Sequence, residues 1–394
     1  MELRAAAPLR SAALAACLSL ACWHGPPPAP VGPVTVVPFD AYGGAIYVPA
    51  VINGDSAWLM LDTGLSRTGL DRDWALTAGI APAAPALSTA VVDTIRLGQL
   101  TLVHHRVALY PLRGLSEASG RLQVGLVGHD VLQHYVVEID YRRRYVRLFD
   151  AAPYRYEGTG ATVRFTADAD LPLLRGHVKV RGRRPIPARL LLDTGASGLC
   201  LILTTPFAEQ HGLGRVVPAI EAPIGTGLVG ELHGTIVRLQ ELQLGGVKVP
   251  SPTTGLGGEL KGFLARTDID GVIGNSVFDG SRLIVDYAGR RVIVEPRPGD
   301  TSPCDFDMSG LRLAARGPGL RHIMVDYVVP RSPSAEAGIA VGDELLLIDG
   351  RGVVEGDLSD ARKALRVNGA VRQLVLLRRE ADTIRVALKL RRLL

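Results

Sequence analysis

The tripeptide Asp-Thr-Gly occurs twice in this chain of 394 residues, starting at Asp62 and at Asp193, and each copy ends a run of apolar residues. A carboxylate at the end of a hydrophobic strand is costly, because the loss of hydration opposes its ionisation. The two copies start 131 residues apart, and each has a serine two positions after its glycine. The pair therefore indicates one site that is assembled from two similar halves of the chain.

The surroundings of the two tripeptides repeat as well. Upstream of each lie two strand-like segments joined by a tight turn, Asn-Gly at 53–54 and Arg-Gly at 181–182. Downstream of each lies a Gly-apolar-apolar-Gly block, at 125–128 and 271–274, followed by a short helical segment and a strand ending in Asp-Tyr. Chance does not produce this order of elements twice, so the sequence predicts an internal duplication.

Each half resembles a retropepsin-type unit, and the pair resembles the bilobal aspartic proteases over roughly residues 35–297. The resemblance implies a mainly β protein with two β-barrel lobes related by duplication, at residues 39–155 and 156–298. It also implies that Asp62 and Asp193 form one catalytic dyad. Since both halves belong to one chain, we expect a monomer. We also expect that the protein needs no metal and no cofactor.

Six neighbours of the aspartates are candidate supporting residues. By resemblance, the threonines hydrogen-bond across the lobe interface and the serines lie near the outer carboxylate oxygens. The glycines leave room for the backbone to approach the carboxylates. Leu65 stands where the family more often has alanine, as at Ala196, and we expect it to narrow the site or alter packing. The six supporting residues are Thr63, Gly64, Ser66, Thr194, Gly195 and Ser197.

A glycine-rich segment of the second half, Ile224 to Glu231, is typical of a mobile hairpin that closes on a substrate and excludes water. Its candidate substrate contacts are Gly225, Thr226 and Gly227. The corresponding segment of the first half, residues 83–93, contains no glycine. We therefore expect a single flap in the second lobe; the alternative is a plain surface loop.

The C-terminal part of the chain has a different character. Residues 325–350 are similar to the core of bacterial PDZ domains, with a strand, a Ser-Pro turn, an Ala-Gly helix, a Gly-Asp turn and a second strand. The resemblance implies a PDZ-like α+β domain at 308–394 that captures an extended peptide by strand addition. The candidate peptide-binding loop contains Gly317, Gly319 and Leu320. Substrate docking, autoinhibition and structural support remain open as roles for this domain.

The N-terminus resembles an export signal over residues 1–22, followed by a proline-rich tether at 23–38. Either Cys17 or Cys22 is a candidate lipidated residue that would anchor the chain to a membrane; the alternative is an ordinary cleaved signal. We expect an exported bacterial protein, either periplasmic or a membrane-anchored lipoprotein. Cys200 and Cys304 could be oxidised in that compartment, but nothing in the sequence places them close together.

The charge pattern excludes some functions. The net charge is +5, but the basic residues are scattered and form no stripe with interleaved aromatic residues, so we expect no nucleic-acid partner. The sequence has no Cys-x-x-Cys or His-x-x-x-His spacing, which argues against a zinc site.

The leading hypothesis is an aspartic endopeptidase that hydrolyses a peptide or protein substrate with a water activated between Asp62 and Asp193. The PDZ-like domain would dock peptides or regulate cleavage. The alternative is a non-catalytic peptide-binding protein built on a degraded protease scaffold. A third possibility is a highly selective processing enzyme that ignores generic substrates.

Overall fold

A computed structural model describes residues 32–81, 88–166, 171–228, 230–296, 304, 306–353, 358–378 and 382–394. The predicted signal segment, with Cys17 and Cys22, lies outside the described residues, as do residues 83–87 of the first-half segment without glycine. Within the described part of the chain, no helix combines the length and the apolar character needed to cross a membrane.

The described residues of the first lobe form ten strands and three short helices. The strands are β1 (Thr35–Pro38), β2 (Asp40–Tyr42), β3 (Ala45–Ile52), β4 (Asp55–Leu61), β5 (Gly69–Asp71), β6 (Thr89–Leu97), β7 (Leu100–Tyr110), β8 (Gly125–Val127), β9 (Tyr135–Asp140) and β10 (Tyr145–Asp150). The helices are α1 (Arg72–Thr77), α2 (Arg113–Ser119) and α3 (His129–Leu132).

Six strands of this lobe close a barrel in the order β3-β4-β8-β5-β7-β6, because β6 pairs back onto β3. The predicted turn between β3 and β4 is confirmed, since Asn53 and Gly54 both have positive φ, at 48° and 101°. These two residue types adopt left-handed backbone readily, which is what a two-residue hairpin turn requires. The barrel interior is apolar and includes the fully buried Ile46, Leu59 and Ile95.

Outside its undescribed residues 167–170 and 229, the second lobe contains twelve strands and one α-helix. The strands are β11 (Ala161–Thr166), β12 (Leu173–Lys179), β13 (Ile186–Asp193), β14 (Leu201–Leu203), β15 (Ala219–Gly227), β16 (Gly230–Arg238), β17 (Glu241–Leu244), β18 (Val247–Pro250), β19 (Thr253–Gly257), β20 (Gly271–Gly274), β21 (Arg282–Asp286) and β22 (Arg291–Glu295). The helix is α4 (Thr205–Gln210), and 3-10 turns lie at Leu213–Arg215, Phe263–Ala265 and Asn275–Phe278.

The strand order confirms the internal duplication. In the first lobe, β4 pairs with β8 in parallel, β8 with β5 antiparallel, and β5 with β7 in parallel. In the second lobe, β13, β20, β14 and β19 follow the same order with the same three directions. The strands that carry the two Asp-Thr-Gly copies, β4 and β13, therefore hold equivalent places.

A shared antiparallel sheet joins the two lobes, in the order β1-β10-β9-β21-β22-β11. At its centre β9 of the first lobe pairs with β21 of the second, with Ile139 opposite Leu283. Both of these side chains are fully buried. Because backbone hydrogen bonds cross directly from lobe to lobe, the sheet fixes the orientation of the Asp-Thr-Gly loop at 62–64 relative to the one at 193–195.

The C-terminal residues form an α+β domain with its own sheet, as predicted. Its strands are β23 (Leu311–Arg316), β24 (His322–Val328), β25 (Glu344–Ile348), β26 (Arg351–Gly352), β27 (Val371–Arg378) and β28 (Asp382–Lys389). Helices α5 (Pro333–Glu336) and α6 (Leu358–Ala364) accompany them, with a 3-10 turn at Pro318–Leu320. Strand β23 lies at one edge of the sheet, in the order β23-β24-β25-β27-β28.

A disulfide joins Cys200 to Cys304. Cys200 follows the second Asp-Thr-Gly segment, and Cys304 precedes the C-terminal sheet. Their Cα atoms are 5.7 Å apart. Both cysteines are buried. The sequence left this pairing open, and the bond ties the start of the C-terminal domain to the second lobe.

Candidate active site

Parallel strand pairing brings each Asp-Thr-Gly to the junction between the lobes. Strand β4 ends at Leu61, and the Asp62 amide then donates to the Val127 carbonyl of β8 at 3.0 Å. In the second lobe, Asp193 is the last residue of β13 and lies opposite Gly274 of β20. Each aspartate therefore lies at the end of a strand that pairs with a Gly-apolar-apolar-Gly block.

The two Asp-Thr-Gly loops are tied together by their threonines. The Thr63 hydroxyl donates to the Leu192 carbonyl (2.8 Å) and accepts from the Thr194 amide (3.0 Å). The Thr194 hydroxyl donates to the Leu61 carbonyl (2.8 Å) and accepts from the Thr63 amide (3.1 Å). Both threonines are fully buried. The four bonds form a two-fold arrangement across the lobe interface, as the resemblance implied.

The carboxyl groups of Asp62 and Asp193 lie within hydrogen-bonding reach of each other. Asp62 Oδ1 accepts from the Gly64 amide at 2.9 Å. Asp193 Oδ1 accepts from the amides of Gly195 (2.8 Å) and Ala196 (3.0 Å). These amides fix the orientation of both carboxyl groups, because each group is held by the backbone of its own loop.

Burial and mutual repulsion change the protonation of this pair. Burial raises the pKa of Asp62 well above its ordinary value of 3.8, and the nearby charge of Asp193 raises it further. Burial also raises the pKa of Asp193. Two carboxyl groups in contact do not both ionise readily, so the pair retains one shared proton over an intermediate range of pH.

The two glycines of the motif allow the aspartates to meet. A Cβ atom placed on Gly64 would lie 2.5 Å from Asp193 Cγ, and one placed on Gly195 would lie 2.5 Å from Asp62 Oδ2. Each glycine therefore lies against the carboxyl group of the opposite lobe. Any side chain at either position would separate the pair.

Each Gly-apolar-apolar-Gly block also supports the loop of its own lobe. The His129 amide donates to the Leu65 carbonyl and the Asn275 amide donates to the Ala196 carbonyl, both at 2.8 Å. The last glycine of the second block, Gly274, lies so close that a Cβ atom on it would be 2.3 Å from the Leu199 carbonyl oxygen.

The two predicted serines lie at the protein surface. Ser66 and Ser197 are both exposed. Among the described residues, neither hydroxyl group hydrogen-bonds to a dyad carboxyl. Their expected place near the outer carboxylate oxygens stays a prediction. Leu65, by contrast, is buried in an apolar cluster of the first lobe.

The glycine-rich segment of the second lobe forms the outer end of a hairpin made by β15 and β16. Gly225, Thr226 and Gly227 lie on β15, and Thr226 is opposite Glu231. Leu228 follows them and packs against the first-lobe cluster that contains Leu65. In the first lobe, residues 89–93 belong instead to β6 of the barrel. The hairpin thus lies across the interface, although its role as a substrate flap stays a prediction.

The candidate peptide-binding loop of the C-terminal domain is the turn between β23 and β24. Gly317, Gly319 and Leu320 all have positive φ there. At the opposite end of β23, Asp307 Oδ1 accepts from the amides of Ser309 (3.0 Å) and Leu311 (3.2 Å) and from the Gly310 amide between them. This second loop, at residues 307–311, was not suggested by the sequence. Its amides bind the Asp307 carboxylate of the chain itself.

Family comparisons agree with this architecture. Residues 177–277 match the model of the aspartyl protease family, and residues 324–379 match that of the PDZ domain. The chain contains an aspartyl protease domain and a C-terminal PDZ domain. No curated protein gives a significant match. The protease match lies within the second lobe and includes Asp193 and the β15–β16 hairpin; the first lobe shares its strand order.

Sequence reasoning missed the contacts that the PDZ domain makes with the flap. The side chain of Arg312, on β23, contacts Thr226 and Glu231 of the hairpin. No local pattern marks this arginine, because its role depends on how two domains pack. The signal that was available for the disulfide was the presence of two unassigned cysteines in a chain predicted to be exported.

The raised pKa of Asp62 gives a testable pH dependence of stability. A raised pKa means that the folded protein binds the proton more tightly than the unfolded chain. We expect the free energy of unfolding to fall as pH rises from about 3.8 towards the higher folded pKa, and this contribution to level off above it. Urea unfolding of the wild type and of Asp62→Asn across pH 3.5–8 isolates the contribution. Parallel curves of unfolding free energy against pH for the wild type and Asp62→Asn would contradict this contribution of Asp62.

Proposed function

We propose that this protein is an aspartic endopeptidase in which Asp62 and Asp193 activate one water molecule. The observation that carries the proposal is the close pair of carboxyl groups, each held by amides of its own loop and each lying against the glycine of the opposite loop. A non-catalytic binding protein gains nothing from two half-buried acids in contact, because their mutual repulsion opposes ionisation.

The reaction follows from a pair that shares one proton. The ionised carboxylate accepts a proton from water as the water oxygen attacks the carbonyl carbon of the scissile peptide bond. The protonated carboxyl group donates its proton to the carbonyl oxygen, which yields a neutral tetrahedral diol. The carboxyl group that took the proton from water then donates it to the peptide nitrogen as the C–N bond breaks, and a hydroxyl group of the diol returns a proton to the other carboxylate. The products are a carboxyl group and an amine, and the dyad returns to its singly protonated state.

The remaining elements have consistent roles in this proposal. The flap covers the dyad and excludes bulk water, which strengthens the electrostatic interactions of the reacting groups. The threonine bonds hold the two loops in a fixed relation, so that little reorganisation is needed during reaction. A single chain supplies both aspartates, and we therefore propose that the monomer is the active form.

We also propose that the protein is exported, as a periplasmic protein or a lipoprotein anchored through Cys17 or Cys22. The Cys200–Cys304 disulfide supports this location, because such bonds persist in oxidising compartments. The proposed substrate is an extended peptide or a protein segment that can enter between the flap and the dyad.

The test is incubation of the mature protein with a mixed-sequence peptide library from pH 3 to 8, read out by mass spectrometry. We expect cleavage that a statine-type transition-state analogue blocks. Peptides that bind but remain intact, with no binding of the analogue, would support the non-catalytic alternative. An uncut library together with analogue binding that Asp193→Asn abolishes would identify a selective processing enzyme, since the analogue reports on the dyad itself.

A further inference from the structure

The outer end of the flap is held by one arginine of the PDZ domain. The guanidinium group of Arg312 donates to the Thr226 hydroxyl at 3.0 Å and contacts the Glu231 carboxylate at 2.8 Å. Thr226 and Glu231 are opposite each other in the hairpin, so Arg312 bridges both flap strands. Its side chain is only 20% exposed, which makes these contacts less screened than a surface ion pair.

The same β23 strand is covered by the first lobe. Helix α2 packs against it, and Arg316 of β23 pairs with Glu117 of α2. Arg362 of α6 donates to the Ala118 carbonyl at 2.7 Å and to the Leu313 carbonyl of β23 at 2.6 Å. PDZ domains capture peptides by adding a strand to an exposed sheet edge. Here α2 lies against that edge.

A third set of contacts joins the PDZ domain to the base of the flap. The Tyr327 hydroxyl donates to the Glu221 carbonyl at 2.9 Å. Tyr327 and the C-terminal residue Leu394 also pack against an apolar cluster that contains Ile224 of the flap. The PDZ domain therefore contacts the flap at its base and its outer end, and contacts the opposite lobe through α2.

We propose that the PDZ domain is a latch that restrains the flap of the second lobe in its closed position over the first. This inference concerns the same site as the proposed endopeptidase function and rests on it for its meaning in catalysis. With Leu228 packed on the first lobe and Arg312 bridging the hairpin, the flap opens only when the contacts of Arg312 break. A peptide that adds to β23 must displace α2, so occupation of that edge and release of the flap are coupled.

The test measures amide hydrogen exchange of the flap in the full-length chain. Asp193→Asn serves as the background, so that cleavage plays no part in the readout. In Arg312→Ala, we expect residues 219–238 to exchange on the order of tenfold faster, as the loss of charge-assisted hydrogen bonds implies. Glu231→Gln, which leaves the PDZ domain unaltered, should shift exchange in the same direction.

The matched control is Arg385→Ala, which removes an exposed arginine from β28 on the same sheet. This variant should leave flap exchange unchanged. Unchanged flap exchange in Glu231→Gln and Arg312→Ala would overturn the latch. If Arg312→Ala instead speeds hydrogen exchange throughout the PDZ domain, the flap exchange of Glu231→Gln decides the question. Faster exchange then supports the latch, and unchanged exchange overturns it.

The active chain gives a second readout. If the flap is restrained, Arg312→Ala should raise kcat/KM for a cleaved peptide several-fold, because opening becomes easier. A fall in kcat/KM would overturn the latch and make Arg312 a residue that positions the flap for catalysis. Faster flap exchange in a chain that cleaves nothing would leave the latch standing and count against the endopeptidase function alone.

Discussion

Replacing Asp193 by asparagine should lower kcat for peptide hydrolysis by at least about a thousandfold, and Asp62→Asn should have the same effect. Each substitution removes one of the two groups that must exchange a proton with water and substrate, and general acid–base catalysis of this kind contributes about 10²–10⁴-fold per group. Cleavage of the best library peptide, followed under single-turnover conditions, measures the loss directly.

These substitutions leave the fold intact for a local reason. The Oδ1 atom of an asparagine at position 193 can still accept from the amides of Gly195 and Ala196. Asp268→Asn is a suitable control, because this exposed second-lobe residue pairs with Arg266. It should retain wild-type activity. Hydrolysis within tenfold of wild type in either dyad variant would end the proposal of a two-carboxylate mechanism.

The core of the site was predictable from sequence because each residue is set by a short local motif that occurs twice. Thr63 and Thr194, for instance, follow their aspartates directly, and the duplication implies that their loops meet. The glycines were predicted to leave room for the backbone to approach the carboxylates, and the structure adds the close approach of the opposite carboxyl group. That approach is a property of two loops together and is absent from either loop alone.

The contacts between domains could not be read from sequence. Arg312 and Thr226 are 86 positions apart, and Cys200 and Cys304 are 104 positions apart. Neither pair belongs to a repeat or to a regular spacing, so nothing local distinguishes these residues from similar ones elsewhere. The family resemblance supplied the protease lobes and the PDZ domain separately, and the way in which they pack determines the environment of the flap.

The threonine bonds predict a large loss of stability on substitution. In Thr194→Val, the Leu61 carbonyl loses its donor and the Thr63 amide loses its acceptor, both at a buried interface. Each unsatisfied buried group costs about 1–3 kcal/mol, so we expect the free energy of unfolding to fall by about 2–6 kcal/mol. Thr63→Val should have a similar effect. Urea unfolding followed by circular dichroism measures both.

Serine is the matched control, because Thr194→Ser keeps the hydroxyl group and loses only a methyl group. It should recover most of the stability and most of the activity that valine removes. A loss of stability in Thr194→Ser as large as that in Thr194→Val would mean that the hydroxyl group contributes nothing beyond the methyl group. The cross-lobe bonds would then not be the element that holds Asp62 and Asp193 together.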